Sequence, residues 1–232
     1  MRQEKNTITL KLNLGCGLVA PDGWVNIDSS YNARLAKYPK LRRFLGKFKI
    51  LPKRLIEIPW PKNIIILDVR KGLPYPDNSV KYIYSSHFLE HLSRAEAKKL
   101  LGECYRVLVP GGALRIIVPD LLACVEKYTE AFHKWDENSQ GLCPAEIFLE
   151  NLAMYDHGLA NEPFWLRFYK KKFYDKNTHK WAYDEQSLSY LLKGTGFKDI
   201  CKRKYGESLI ENVVNLDIPE RFEGSICFEA VK

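Results

Sequence analysis

Leu12-Asn13-Leu14-Gly15-Cys16-Gly17 is the stretch that decides the fold, because an apolar strand pattern runs directly into two glycines separated by one small residue. A second short strand, Val25 to Ile27, follows and stops at Asp28. A glycine turn at a strand end lets a ligand approach bare backbone. A carboxylate at the end of the neighbouring strand can accept hydrogen bonds from both hydroxyls of a ribose. The pattern predicts an adenosine-type cofactor at the carboxyl ends of a parallel sheet.

Two kinds of adenosine cofactor are compatible with these glycines, and the residues after them favour one. Residues 15–20 match the dinucleotide fingerprint G-x-G-x-x-[G/A], which needs a helix opening at the glycines to hold a pyrophosphate. Pro21-Asp22-Gly23 would break such a helix. Asp28 also comes 11 positions after Gly17, where the fingerprint expects an acidic residue after about 20. S-adenosylmethionine, which carries a ribose and no phosphate, therefore fits better than a nicotinamide cofactor.

The next segments extend the same alternation of strands and helices. Ile64 to Leu67 is a short apolar run, typical of a strand buried on both faces, and it ends at Asp68-Val69. Val80 to Tyr84 reads as a strand that leads into Ser85-Ser86-His87. Ser93 and Glu96 form a capping box for a helix that Pro110-Gly111-Gly112 should end, before a strand over Leu114 to Val118. Near the carboxyl terminus the pattern predicts one helix and two strands, over residues 184–193, 198–204 and 225–231.

This ordered set of motifs resembles the class I S-adenosylmethionine-dependent methyltransferases, in particular the small bacterial type 11 branch. The residues that carry the likeness lie between about 8 and 120, and comprise residues 12–17, 23–28, 68, 73–77, 86–91 and 106–112. The resemblance implies an α/β, Rossmann-like methyltransferase fold with a mostly parallel seven-stranded sheet and an antiparallel C-terminal edge. One departure is that little chain remains between Gly17 and Val25 for the first crossover helix.

The resemblance also implies which residues hold the cofactor. Gly15 and Gly17 would flank its methionine part, Asp28 would take the ribose, Asp68 the adenine amino group and the Val69 backbone the adenine ring. The complete cofactor-binding set that we predict is Leu14, Gly15, Cys16, Gly17, Asp28, Asp68, Val69 and Ser85.

Length and composition favour one domain without a membrane span. A chain of 232 residues can bury one good-sized core, and we expect a single methyltransferase domain over 1–232. No run approaches the roughly 20 apolar residues of a membrane span. The six cysteines show no metal-binding spacing, which favours reduced thiols in a cytoplasmic protein.

Two segments are the candidates for partner and substrate recognition. Every charged residue between Ala33 and Ile56 is basic, so residues 34–54 form either a solvated helix or a surface for an anionic ligand or a membrane face. Nucleic acid is not expected, because no nucleic-acid fold signature accompanies them. Residues 121–183 are rich in aromatics, and form either a satellite core or a cap insertion over a substrate pocket.

Three residues are candidates for the catalytic group. Methyl transfer from a sulfonium depends mainly on positioning, but a hydroxyl acceptor also needs a base. His87 follows the fourth strand, where the methyl group would lie, and is the first candidate; His179 and Asp120 follow. Residues 87–91 also match the zinc peptidase pattern H-x-x-E-H. The strand-end context is wrong for that pattern and no third ligand is evident, so we predict no metal.

The sequence as a whole predicts methyl transfer from S-adenosylmethionine to a small acceptor, with sugar-containing and anionic metabolites as candidates. A cofactor-binding protein without catalysis is the first alternative, and a nicotinamide-dependent oxidoreductase the second. The oligomeric state is left open by the sequence.

Overall fold

A seven-stranded sheet forms the centre of the computed structural model, which describes residues 10–47, 57–136, 141–152 and 178–232. The strands are β1 (Leu10–Leu14), β2 (Val25–Asp28), β3 (Ile64–Ile66), β4 (Val80–Ser86), β5 (Leu108–Pro119), β6 (Lys198–Lys202) and β7 (Ser225–Val231). Their order across the sheet is β3-β2-β1-β4-β5-β7-β6. The first five are parallel, while β7 is antiparallel to both β5 and β6. The predicted Rossmann-like sheet with an antiparallel edge is confirmed.

Helices and irregular segments cover the two faces of this sheet. The helices are α1 (Tyr31–Ala36), α2 (Pro39–Lys47), α3 (Arg94–Val107), α4 (Leu121–Lys134), α5 (Pro144–Asn151) and α6 (Glu185–Thr195). Buried residues of α3 and α6 pack with β1 and β4 in the larger apolar core. A smaller core on β4 and β5 is covered by residues 210–222. Among the described residues, no helix has the length and apolar character that crossing a membrane requires.

Local signals explain the ends of the main helices. The predicted capping box of α3 is present, since Ser93 Oγ accepts from the Glu96 amide and the Glu96 carboxylate accepts from the Ser93 amide. Between β1 and β2 the chain makes turns only, so the missing crossover helix is also confirmed. The glycine turn and the residues after it therefore connect β1 to its parallel neighbour β2 without a helix.

Two elements differ from the sequence prediction. The segment Pro110-Gly111-Gly112 lies inside β5 rather than before it, because α3 ends at Val107 and the β4–β5 register shifts between Val80 and Tyr82. β3 is not buried on both faces, because it is the edge strand of the sheet and its Ile65 is 49% exposed. An apolar run alone does not distinguish an edge strand from a central one.

A buried ion-pair network attaches the tail segment, residues 203–222, to the sheet. Arg115 on β5 is fully buried and pairs with Asp217 (Nη2–Oδ2, 2.6 Å) and with Glu229 on β7 (Nη1–Oε1, 3.0 Å). It also donates to the backbone carbonyls of Glu207 and Lys204. The guanidinium and both carboxylates thus find partners away from water, as buried charges require.

The predicted cap, residues 121–183, is described only in part. Helices α4 and α5 contact one another, and residues 178–183 return to the sheet through a bridge between Asp120 and Tyr183. Residues 137–140 and 153–177 lie outside the described part, as do residues 48–56 of the basic segment. A cap over the substrate therefore stays a prediction.

Candidate active site

A cavity of about 290 Å³ opens at the carboxyl ends of β1, β2, β3 and β4. Parallel strands bring their carboxyl ends to one edge, so residues far apart in sequence meet there. Six of the predicted site residues line this cavity: Gly15, Gly17, Asp28, Asp68, Val69 and His87.

The other predicted site residues lie outside the lining. Leu14, Cys16 and Ser85 are buried, and burial raises the pKa of the Cys16 thiol to about 12, so it stays protonated. Asp120 begins α4 and accepts from the Leu122 amide at 3.0 Å. His179 is not part of the lining either. Of the three catalytic candidates, His87 is therefore the one that lines the cavity.

The two glycines of the turn have different surroundings. Both have positive φ, +67° at Gly15 and +54° at Gly17, where a side chain is strained. A Cβ at Gly15 would lie 2.4 Å from Cγ of Phe88, whereas a Cβ at Gly17 would meet nothing within 4 Å. Gly15 lines the cavity with its backbone, while the Phe88 ring occupies the side to which a Cβ would point. Gly17 is the glycine with open space, at the wall of the cavity.

Asp28 connects the glycine turn to the start of α1. Its Oδ2 accepts from the Gly17 amide at 3.0 Å, and its Oδ1 accepts from the Ser30 amide at 2.7 Å. Each carboxylate oxygen can accept more than one hydrogen bond. The side chain can therefore order the turn and still receive ligand hydroxyls from the cavity.

The Asp68 carboxylate forms a bidentate ion pair with Arg70. Arg70 donates from Nε to Oδ1 (2.8 Å) and from Nη2 to Oδ2 (2.7 Å). The Arg70 guanidinium also lies 3.6 Å from Glu96 on α3. This bidentate pair fixes the orientation of the carboxylate at the cavity wall.

His87 occupies a strained position at the end of β4. Its φ is +51°, which is uncommon outside glycine. Its Nε2 lies 2.9 Å from the Arg221 carbonyl oxygen. A carbonyl only accepts, so Nε2 carries the proton and Nδ1 is left with a lone pair. Burial lowers the pKa of this imidazole, which keeps the ring neutral.

Glu90 lies behind His87, with three imidazoles close to it. Both Glu90 oxygens are buried without a hydrogen-bond partner among the described residues, and burial raises the pKa of this carboxyl to about 8. Burial also lowers the pKa of His179 to about 4 and lowers the pKa of His91. His179 lies near Glu90 and His91, and the ligand atoms of these three side chains are within 4.8 Å of one another, a grouping that differs from the H-x-x-E-H pattern.

Residues 48–116 match a family model described as a methyltransferase domain. This part of the chain is therefore similar to a methyltransferase domain. The match covers β3, β4, α3 and most of β5, and the sheet order agrees with the fold expected from the resemblance. The predictions of an enzyme and of S-adenosylmethionine as its cofactor are confirmed.

Solved structures of methyltransferases resemble this one at low sequence identity. An S-adenosylmethionine-dependent methyltransferase from Archaeoglobus fulgidus is 16% identical, with 97% of this chain and 86% of that chain covered and a TM-score of 0.45. One from Aquifex aeolicus is also 16% identical, with 96% and 80% covered and a TM-score of 0.40. Phosphoethanolamine N-methyltransferase 2 from Haemonchus contortus is 13% identical, with 97% and 48% covered and a TM-score of 0.45. No curated protein matches the sequence significantly.

The methyltransferase site fits its cofactor in two respects. Gly17 lines the cavity with bare backbone and open space where a Cβ would stand, and the two acidic side chains, Asp28 and Asp68, offer acceptors at the ends of β2 and β3. The cavity therefore combines bare backbone with carboxylates, which suits a nucleoside with hydroxyl and amino groups.

Several residues of the methyltransferase cavity were missed by the sequence analysis. Trp60, Arg70, Phe88, Lys180 and Arg221 all contribute to its lining. Trp60 stands between two prolines just before β3, which could have drawn attention to it. Nothing in the local sequence marks Arg221, whose position depends on the path of the tail segment.

Proposed function

We propose that this methyltransferase transfers the methyl group of S-adenosylmethionine to a small anionic acceptor, with sugar phosphates as the first candidates. The observation that carries the proposal is the division of charge along the cavity. The strand order places Asp68, Asp28, Gly15 and His87 one after another across the sheet edge. Asp28 and Asp68 thus lie toward β3, while His87 and Arg221, whose backbone carbonyl bonds to His87, belong to the β4 end.

The acidic end suits the nucleoside part of the cofactor. Asp28 can accept from ribose hydroxyls while it holds the glycine turn. Asp68, oriented by Arg70, can accept from the adenine amino group, and Val69 follows it at the wall. The open side of Gly17 then accommodates the part of the ligand that runs toward β4.

The β4 end suits an acceptor with negative charge. Arg221 is half-buried and forms no ion pair with any residue in the described ranges. Lys180 also lines the cavity, but its Nζ lies 3.8 Å from Glu96, the carboxylate that Arg70 approaches as well, so Arg221 is the cation that we assign to the acceptor. A partly buried guanidinium without a carboxylate partner is a strong site for a phosphate or carboxylate group.

His87 is the residue that we place against the acceptor hydroxyl. When bound, S-adenosylmethionine supplies a methyl group on a positively charged sulfur, ready for in-line displacement. His87 lines the cavity, and its Nδ1, which carries the lone pair 3.6 Å from Glu90 Oε1, is the nitrogen that would accept the proton of an acceptor hydroxyl. His87 contributes through position, since its Nε2 is fixed by the Arg221 carbonyl. His179 and Asp120 are less suited, because neither lines the cavity.

The proposal is tested by measuring S-adenosylhomocysteine release with matched pairs of sugars and sugar phosphates. The phosphorylated member of a pair should be methylated, and Arg221→Gln should raise its KM without changing the affinity for S-adenosylmethionine. Lys98→Gln, which removes an exposed cation from α3, is the matched control. Equal turnover of neutral and phosphorylated acceptors, unaffected by Arg221→Gln, would contradict the proposal.

We further propose that residues 34–54 contact an anionic surface. Within the described part of this segment, α2 has no buried residue and carries exposed Leu41 and Phe44 among basic side chains. Basic amphipathic helices of this kind bind anionic lipid. Sedimentation with vesicles of phosphatidylserine, compared with phosphatidylcholine, tests this. Binding should weaken in Lys40→Glu, and equal sedimentation with both lipids would refute it.

A further inference from the structure

Three imidazoles surround one buried carboxylate beside the cavity. The Glu90 side chain is 2% exposed, and in the described ranges neither of its oxygens has a hydrogen-bond partner. His87 Nδ1 lies 3.6 Å and His179 Nε2 lies 3.9 Å from Glu90 Oε1. The His91 and His179 rings pack edge to face with 5.0 Å between their centroids. An ionised carboxylate buried without a hydrogen-bond partner costs several kcal/mol, so a positive ion bound beside Glu90 would stabilise its ionised form.

The imidazoles are oriented as metal ligands usually are. His91 Nδ1 lies 3.3 Å from the Thr178 carbonyl oxygen, so this nitrogen donates and Nε2 keeps its lone pair. His179 presents its Nε2 to Glu90 Oε1 at 3.9 Å. Histidines that bind metals generally donate their other nitrogen to a carbonyl or carboxylate, which fixes the ring.

We propose that Glu90, His91 and His179 bind one divalent transition-metal ion, such as Zn²⁺. The ligand atoms of the three side chains all lie within 4.8 Å of one another. Tetrahedral ligands at zinc distances of about 2.0–2.1 Å are about 3.4 Å apart, so binding requires the ligand atoms to approach one another by up to about 1.4 Å. Two imidazoles and one carboxylate suit Zn²⁺, Fe²⁺ or Co²⁺ better than Mg²⁺, which prefers oxygen ligands.

This site differs from the peptidase pattern in the sequence. The carboxylate is a ligand rather than a base, and the third ligand comes from residue 179, far along the chain. His91 lines the cavity, so the ion would lie next to the acceptor end. The proposal concerns metal binding alone and does not depend on which acceptor is methylated.

The test uses the full chain, stripped with a chelator and titrated with Co²⁺ and Zn²⁺. Co²⁺ should produce visible absorption bands of a low-coordinate site at one ion per chain, and Mg²⁺ should not compete. Zn²⁺ affinity, measured against a chromophoric chelator, should fall on the order of 100-fold or more in Glu90→Gln and in His179→Gln, since even second-shell changes cost 10–100-fold. His133→Gln, which alters an exposed histidine on α4, should bind as the unmodified protein does.

Folding is checked separately from metal binding. Zn²⁺ should raise the Tm of the unmodified chain and leave that of His179→Gln unchanged, while both bind S-adenosylmethionine equally in calorimetry. If Glu90→Gln does not fold, His179→Gln decides, since its side chain is 15% exposed. The inference is overturned by absence of Co²⁺ binding, by equal Zn²⁺ affinity in His179→Gln, or by loss of binding in His133→Gln. A Glu90→Gln variant with higher Tm and unchanged Zn²⁺ affinity would instead identify a protonated buried acid.

Discussion

Replacement of Gly15 by alanine should destabilise the fold more than the same change at Gly17, although both glycines belong to one turn. A Cβ at Gly15 would lie 2.4–2.6 Å from three atoms of the Phe88 side chain, and a Cβ at Gly17 would meet nothing. The two positions share a positive φ. A comparison of the stability losses of the two variants therefore separates the cost of backbone strain from the cost of the steric conflict with Phe88.

The magnitudes follow from these two contributions. An L-residue in the left-handed region costs about 1–2 kcal/mol, and forcing an extra methyl into a packed site costs about 1–3 kcal/mol. Gly17→Ala should lower the free energy of unfolding by about 1–2 kcal/mol, from the backbone alone. Gly15→Ala should lower it by about 2–5 kcal/mol, because both contributions apply.

A double-mutant cycle with Phe88→Ala isolates the steric part. In the Phe88→Ala background, Gly15→Ala should cost only about 1–2 kcal/mol, which gives a coupling energy of about 1–3 kcal/mol. Urea unfolding followed by circular dichroism measures these differences, and calorimetry measures S-adenosylmethionine binding. Gly17→Ala should weaken that binding, because its methyl group enters the open space at the cavity wall. Equal stabilities of Gly15→Ala and Gly17→Ala, or no coupling to Phe88, would refute the reasoning.

Three further outcomes are expected. Asp28→Ala should reduce S-adenosylmethionine affinity roughly 10- to 100-fold, because a charged acceptor is worth about 1.5–3 kcal/mol, and calorimetry with Asp22→Ala as control measures this. His87→Gln should lower turnover by roughly 10²–10⁴ while leaving cofactor affinity unchanged in the same calorimetry. Glu103 has a pKa lowered to about 2 by its hydrogen bonds to Arg106. Because the folded carboxyl ionises more readily, its stabilising effect is present above about pH 4.5 and disappears as the pH falls toward 2. Glu103→Gln should therefore lower the free energy of unfolding by about 1 kcal/mol at pH 7, and this difference, measured by urea titration, should shrink as the pH falls toward 2.

Each of these three predictions has a result that contradicts it. Normal cofactor binding by Asp28→Ala would place the ribose contact elsewhere. Normal turnover by His87→Gln would show that positioning of the two substrates is sufficient for the reaction and that His87 is not needed as a base. A stability difference for Glu103→Gln that persists at pH 2 would show that lost packing, rather than the ion pair, is responsible.

Features that depend on local pattern could be predicted from the sequence. The strand ends at Gly15, Asp28 and His87 were placed correctly at one edge of the sheet, because glycine turns and buried apolar runs mark strand ends directly. The capping box at Ser93 is equally local. Sheet order and the antiparallel edge came through the family resemblance rather than from periodicity.

Features that depend on distant contacts could not be predicted. The bond between His87 and the Arg221 carbonyl joins residues 134 positions apart, and no periodicity links them. The same holds for Phe88 against Gly15, since only the folded turn brings the ring to that Cα. The edge position of β3 could not be predicted either, because a run of three apolar residues is compatible with both an edge strand and a central strand.

The buried Arg115 network has a consequence for how acceptor choice can evolve in this enzyme. Arg115 fastens the tail segment to β5 and β7, and the same segment carries Arg221 to the cavity. The position of Arg221, the charge that we assign to acceptor binding, thus depends on the sheet. Lys180, in contrast, belongs to the predicted cap, residues 121–183. Insertions or substitutions in the cap could therefore change which acceptor shapes the cavity binds, while the preference for a negatively charged acceptor is retained.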